Sequence, residues 1–544
     1  MQKARTVAII AGFGFITLAL FIQGFLPALI PQTQQKAVTR VVRTAVGDLK
    51  WIRYDTSDYT ELERLGRQVY IREGCWYCHS QYVRSVTGET RRWGPVSQAG
   101  EYAFDLPHLF STRRIGPDLT RVGMKYADGW HYAHHWDPQT VVPDTIMPKF
   151  RWLFHVVEAK VVKGADGKPA FEDSPALQAL FKPKGDRTVA VVPNLEGLGF
   201  AEDTEAKPVL YPSRAQGEFK RETVTIVAPT REMKGLVAYV QKLGMSRGAW
   251  RDVFEPQVVT TDIMRITGTE EWVARGKEVY AQRCIGCHGV KGDGEGPAAT
   301  FFDHRPRNFI TGTFKFRTTP TGSLPTDGDL FRTVTRGIRG TAMPSWHELP
   351  INDRLAAIAY IKTFSPYFAE EKPDPVLIKD PPASSPALVA RGKEIFQQAK
   401  CWECHGNTGK GDGPSAPGLK DDWGFPIRPA DLTRGQFKAG PGVEDIFRTM
   451  SLGLSGTPMP SFSQAFSEED RWALSYFVLS LSAFTDPLTG QPLTLSAEAK
   501  AALNSPALKA DSSRLAFDPE SLRVGVAMRD AGTLRRQREK MGIE

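Results

Sequence analysis

Cys75-Trp-Tyr-Cys78-His79, Cys284-Ile-Gly-Cys287-His288 and Cys401-Trp-Glu-Cys404-His405 are three copies of one pattern, C-x-x-C-H, and they use all six cysteines of the 544-residue chain. This spacing is that of covalent c-type haem attachment, with two thioethers on the porphyrin and an adjacent histidine for the iron. A zinc site needs four ligands drawn from two pairs, whereas here each pair has its own trailing histidine. A disulfide reading leaves those histidines unexplained. The pattern therefore predicts a mainly α chain in which small helical domains fold around three covalently bound haem c groups. Cys75, Cys78, Cys284, Cys287, Cys401 and Cys404 would anchor them, and His79, His288 and His405 would ligate iron.

Each iron needs a second axial ligand. His288 to Met343 is 55 residues and His405 to Met459 is 54, and both methionines sit in a Met-Pro-Ser loop. Met147, in Thr145-Ile-Met-Pro-Lys149, lies 68 residues after His79. A lone methionine is usually core filler. Three Met-Pro loops at matching positions point instead to His/Met ligation by Met147, Met343 and Met459, which fills both axial positions and favours electron relay over bond chemistry. The chain thus needs no catalytic residues and no substrate-reducing site of its own.

The last two motifs belong to an internal repeat. Ala274-Arg-Gly-Lys-Glu-Val-Tyr280 matches Ala390-Arg-Gly-Lys-Glu-Ile-Phe396 in a register of 116 residues, and Leu355–Ile361 pairs with Trp472–Val478. The first motif follows the plan loosely, with Gly66-Arg-Gln-Val-Tyr70 ahead of it and Leu236-Val-Ala-Tyr-Val240 closing. The expected organisation is a membrane anchor at 1–35, a linker at 36–65, and cytochrome c domains at 66–255, 256–370 and 387–486. A Pro-rich linker fills 371–386, and a tail runs from 487 to 544 with basic Arg535–Lys540. β-Branched runs around Gly164-Ala-Asp-Gly167 predict a hairpin-rich insertion over about 155–230.

Val7 to Ile30 carries no charge, and as a helix would span about 36 Å, enough to cross a bilayer. It exceeds a signal-peptide core, so an uncleaved anchor is expected. Lys3 and Arg5 precede it, while Lys36, Arg40 and Arg43 follow, so charge bias alone leaves orientation open. Haem attachment outside the inner membrane places the haem domains in the periplasm of a bacterium. The net charge of +8 is modest, and no nucleic-acid motif accompanies it, so it reads as solvated or partner-docking surface.

Seven histidines remain: His108, His131, His134, His135, His155, His304 and His347. The cluster Trp130-His-Tyr-Ala-His-His-Trp136 reads as histidines bonded to backbone or a haem propionate rather than as a metal site. Gly292-Asp-Gly-Glu-Gly296 and Gly409-Lys-Gly-Asp-Gly413 lack the ligand ladder of a calcium loop and the lysine of a phosphate loop, and read as turns beside the haem.

The anchor, Glu73-Gly-Cys-Trp-Tyr-Cys-His-Ser-Gln81, Arg114-Ile-Gly-Pro-Asp-Leu-Thr-Arg-Val-Gly123, Trp130-His-x-x-His134 and Val142-Pro-x-x-x-Met-Pro148 together resemble the mono-haem subunit II of cbb3-type cytochrome c oxidases. The resemblance covers roughly 1–154 and 230–250. It implies that Cys75 and Cys78 anchor a haem ligated by His79 and Met147. The second half is similar to tandem class I cytochrome c domains, as in the di-haem subunit of the same oxidases, here fused on one polypeptide. The resemblance implies a single-span electron relay. A soluble cytochrome c or cupredoxin-like donor would feed it, and a polytopic haem-copper catalytic subunit would receive the electrons. The same relay in a haem-copper nitric oxide reductase, a free-standing periplasmic carrier and a haem gas sensor are the alternatives. The sensor needs an open iron position, against which three methionine ligands argue.

Overall fold

The computed structural model describes residues 2–30, 35–86, 89–163, 169–171, 190–191, 198–202, 208–212, 223–254, 266 and 268–504. It is mostly helical, with small sheets. Three times over, a helix leading into a C-x-x-C-H motif crosses the helix that closes its region. The pairs are Glu61–Arg72 with Arg231–Lys242, Glu270–Arg283 with Ile351–Lys362, and Pro386–Gln398 with Glu468–Ser480. The leading helices start at Thr60, Thr269 and Ser385, whose side chains accept the backbone N–H of Glu63, Trp272 and Leu388. Each such cap contributes about 1 kcal/mol.

The crossings are closer than any side chain allows. A Cβ on Gly66 would lie 1.8 Å from the Gly235 carbonyl oxygen, and on Gly276 or Gly392 it would lie 2.0 Å from those of Ala356 and Ala473. Glycine at these points lets the backbones touch. Beyond each crossing the helices diverge around a separate core. Val69, Tyr70, Leu236 and Tyr239 belong to the first, Tyr280, Phe309, Leu355 and Ile358 to the second, and Ile395, Phe396, Leu474 and Phe477 to the third.

Residues 36–65, expected to be a linker, instead hold an antiparallel hairpin, Ala37–Arg43 with Leu49–Asp55. Val38, Val41, Val42 and Ile52 are buried, and Val42 and Ile52 pack with Phe484, Leu493, Leu495 and Ala499. Two of the three cations that follow the anchor, Arg40 and Arg43, are used inside the fold. Arg40 pairs with Asp486 at 2.8 Å and Arg43 with Asp252 at 2.7 Å. The start of the expected tail therefore folds back on the hairpin as far as residue 504; Arg535–Lys540 lies outside the described residues.

The insertion is a sheet where it is described. Phe154–Lys163 pairs antiparallel with Thr223–Pro229, Val156 opposite Val227, and Pro169–Phe171 and Ala190–Val191 add on either side. Leu198–Glu202 and Pro208–Pro212 form a second pair. The Gly164–Gly167 turn lies outside the described residues. At the other end of the chain, Gln2–Phe25 is long and apolar enough to cross a membrane, with mean hydropathy 2.1 and no buried residue.

Candidate cofactor-binding sites

Each C-x-x-C-H histidine is held in one way. His79 Nδ1 lies 2.8 Å from the Pro117 carbonyl oxygen, His288 Nδ1 3.0 Å from that of Arg307, and His405 Nδ1 3.2 Å from that of Ala430. A proline loop supplies the acceptor each time: Pro117 itself, or the residue after Pro306 or Pro429. With Nδ1 donating to a carbonyl, Nε2 carries the free lone pair, as a metal-ligating imidazole requires. Burial lowers the pKa of all three rings, His288 to about 4, which keeps them neutral near pH 7. Burial likewise pushes the Cys284 and Cys287 thiols up to about 12 and Cys401 to about 11.

The methionine turns are also built alike. Met147, Met343 and Met459 donate their backbone N–H to the hydroxyls of Thr145, Thr341 and Thr457 at 3.2, 3.1 and 3.3 Å. In the repeat the loop is tied back a second time, Met343 O accepting from Ile338 N and Met459 O from Leu454 N, both at 3.1 Å. Ser345 and Ser461 then donate to the Thr335 and Ser451 carbonyls. Met147 packs against the first core, as do Cys75 and Trp76.

The second and third sites meet. A cavity of about 620 Å³ is lined on one side by Cys284, Cys287, His288 and Met343, and on the other by Cys401, Cys404, His405 and Met459. Its walls are mostly apolar, including Phe309, Leu330 and Ile358 from the second region and Phe437, Ile446 and Leu474 from the third. Thiols, imidazoles and thioethers converging on apolar space fit a flat macrocycle whose iron takes one nitrogen and one sulfur ligand. Cys75, Cys78, His79 and Met147 are not among the lining residues.

What holds the motif differs between sites. In the repeat a glycine turn folds back on it: Gly294 N donates to His288 O and Gly296 N to Cys287 O, and Gly411 and Gly413 do the same for His405 and Cys404. The Gly-rich segments are therefore turns beside the site. In the first region Cys78 O accepts instead from Gly116, on the distant 114–123 loop. A Cβ on Gly116 would sit 2.2 Å from His79 Cε1, so the loop touches the imidazole only because residue 116 is glycine. Arg114 locks this loop, donating to Ser80 Oγ at 2.7 Å and to both Glu89 oxygens at 2.7 and 2.9 Å. Asp118 accepts from Ser80 Oγ and from the N–H groups of Tyr82 and Thr120. Sequence marks the 114–123 loop only as part of a resemblance and gives no role to Glu89 or to the 304–307 and 428–430 loops; the recurring Pro beside each acceptor is the available signal.

The histidine cluster lies on the helix Asp128–Trp136, at the seam between the first and second regions. Ala127 N donates to Thr341 O at 3.2 Å, and Trp130 lines the large cavity. His134 stacks on Trp130 at 4.6 Å, and His135 Nδ1 bonds the His131 carbonyl at 2.8 Å. His108 stacks on Phe110, and His347 bonds Ser345.

Comparison with known proteins agrees with this division. Residues 41–246 match the family described as cytochrome c oxidase, mono-heme subunit/FixO. Residues 271–361 match cytochrome c oxidase, cbb3-type, subunit III, and residues 389–482 match cytochrome c. The cbb3-type cytochrome c oxidase subunit CcoP of Azospirillum sp. (strain B510) is 26% identical over 38% of this chain and 62% of its own length. That of Helicobacter pylori (strain 52) is 28% identical over 40% and 62%. The chain thus spans about three fifths of these relatives. A chain of the Kuenenia stuttgartiensis reducing HAO-like protein complex is 41% identical over 40% of this chain and 99% of its own, with a TM-score of 0.38. Cytochrome c domains of this kind carry covalently bound haem c, and the similarity is to cbb3 oxidase subunits on both sides of the fusion.

Proposed function

We propose that this chain is the electron-entry subunit of a cbb3-type haem-copper oxidase, anchored by one span and holding three haem c groups in the periplasm of a bacterium. Cys75, Cys78, Cys284, Cys287, Cys401 and Cys404 attach them, and His79 with Met147, His288 with Met343, and His405 with Met459 ligate the irons. The observation that carries the reading is the threefold recurrence of a carbonyl-held C-x-x-C-H imidazole and a threonine-capped methionine turn, in a chain whose residues 41–246 and 271–361 match oxidase-subunit families.

When bound, haem iron supplies a reversible one-electron couple. The protein's own contribution is placement. Carbonyl acceptors fix each imidazole, apolar walls exclude water, and a neutral thioether favours ferrous iron and a high potential. The shared cavity supports close approach of the second and third haems, and the Asp128–Trp136 helix supports contact of the second region with the first. Electrons would enter from a soluble cytochrome c or cupredoxin-like donor and leave from the first region, nearest the anchor, to a polytopic haem-copper subunit.

Purification from native membranes in mild detergent, with subunits identified by mass spectrometry and turnover assayed on oxygen and on nitric oxide, tests this. A co-purifying haem-copper subunit and oxygen consumption are expected. Nitric oxide turnover alone assigns the relay to a reductase, and recovery with no polytopic partner overturns the subunit role.

A further inference from the structure

The large cavity is far more basic than its apolar walls require. Seven Lys or Arg side chains line it, against two carboxylates, Glu403 and Asp445. Asp445 is already engaged by Arg448 at 2.8 Å and Arg336 at 3.6 Å. At the seam between the second and third regions, Lys438 Nζ lies 2.6 Å from His304 Nε2, and both side chains line the cavity. This pairs two bases, so one proton serves both: the ammonium donates and the imidazole accepts. Lys438 depresses the His304 pKa well below its ordinary value, and burial lowers Lys438 itself to about 8. Asp303 is the anion whose field reaches Lys438, and it does not line the cavity, so on the cavity side the cationic pair faces apolar space with no carboxylate of its own.

Each partner is anchored to a site. His304 belongs to the 304–307 loop, whose Arg307 carbonyl holds His288. Lys438 follows the 428–430 loop, whose Ala430 carbonyl holds His405. Besides the Arg336–Asp445 pair, contacts across the seam include Arg317 Nη2 on the Leu452 carbonyl at 2.9 Å, Thr321 on the same oxygen at 2.7 Å, and Arg307 over Trp423 at 4.6 Å.

Resting on the reading that both motifs carry haem, we propose that Lys438 and His304 form a clamp, contributed by two regions, that binds a haem propionate carboxylate in the shared cavity. The clamp ties one haem to both regions and sets its potential with a positive charge. A carboxylate accepting from both groups lets both be protonated, which the bare pair does not.

The test is a potentiometric titration of the full chain in detergent, resolving the three haems, with haem content measured as pyridine haemochrome. Lys438→Met removes the charge and favours ferric iron. The reduced-to-oxidised ratio of the second or third haem at fixed ambient potential should fall roughly tenfold, with the first haem unmoved and K438R restoring the wild-type value. Should K438M lose haem, His304→Gln reads the same fall. Three attached haems with unchanged potentials in the variants overturn the clamp. So does a potential in wild type that moves with added inorganic phosphate and stops moving in K438M, because the site then takes a free anion. A wild-type chain without haem at Cys284/Cys287 or Cys401/Cys404 overturns the underlying reading, and haemochrome content reports that before any potential is measured.

Discussion

The first site and the paired second and third sites solve the same problem differently. All three hold the motif's imidazole through a loop carbonyl, and all three must cap the motif's last carbonyl groups. The paired sites cap locally, with a glycine turn a few residues on, and then share one cavity. The first reaches across to the 114–123 loop and fastens it with Arg114, Glu89 and Asp118. Local capping leaves the cavity side free to merge with a neighbour. Long-range capping makes a self-sufficient site, tied by charge to its own region.

The strongest way to break this comparison is to empty one site at a time. Cys75→Ala with Cys78→Ala should remove one third of the covalent haem and leave the other two potentials unchanged. Cys284→Ala with Cys287→Ala should also remove one third, yet destabilise the third region, whose apolar side chains then face an empty half-cavity. Single buried truncations cost about 2–5 kcal/mol, and this loss should exceed them. Thermal unfolding followed by haem absorbance reads both. Equal effects on the remaining haems would mean that the shared cavity does not couple them.

Next in size is Gly116→Ala. The added Cβ has to displace either His79 or the loop, since the gap is 2.2 Å. Overpacking of this kind costs roughly 1–3 kcal/mol, and the first haem alone should lose its low-spin spectrum, with the other two unaffected.

Arg114→Met is of similar size and depends on pH. Its hydrogen bonds, foremost, hold the Glu89 carboxyl down at about 2. A carboxylate depressed in the folded state contributes stability that is present in full above its unfolded pKa and is lost as pH falls through the folded one. The difference in stability between wild type and R114M should therefore be full near neutrality and shrink between about pH 5 and pH 2. Charged hydrogen bonds of this sort contribute about 1.5–3 kcal/mol. A pH-independent difference would assign the loss to packing of the Arg114 stem.

These contrasts mark where sequence was enough. The motifs, the segments leading into and closing each region, and the Met-Pro loops were legible because each is a short pattern that repeats; that the helices cross on Gly66, Gly276 and Gly392 was not. The hairpin at 37–55 was not, although Val38-Thr-Arg-Val-Val and Lys50-Trp-Ile-Arg-Tyr flank a Gly47 turn with φ +92°. Its arginines read as surface charge because their partners, Asp252 and Asp486, lie hundreds of residues away. The same distance hid His304 from Lys438 and made a folded segment resemble a tail. Which residues alternate is local information; which charges meet depends on how three regions dock.

The smallest expected effect probes what the sites have in common. Thr145, Thr341 and Thr457 accept the N–H of the methionine two residues on, at 3.2, 3.1 and 3.3 Å. Replacing any one by valine keeps the shape and leaves that N–H without its acceptor, at a cost of about 1 kcal/mol. The methionine side of the site is alike in all three regions even though the histidine side is not. T145V, T341V and T457V should therefore each weaken the methionine–iron band of their own haem by a similar amount, read in the visible spectrum as temperature is raised. A much larger loss for T145V would mean that the Arg114 network supports Met147 as well as His79, and that the first site differs from the pair on both faces of its haem.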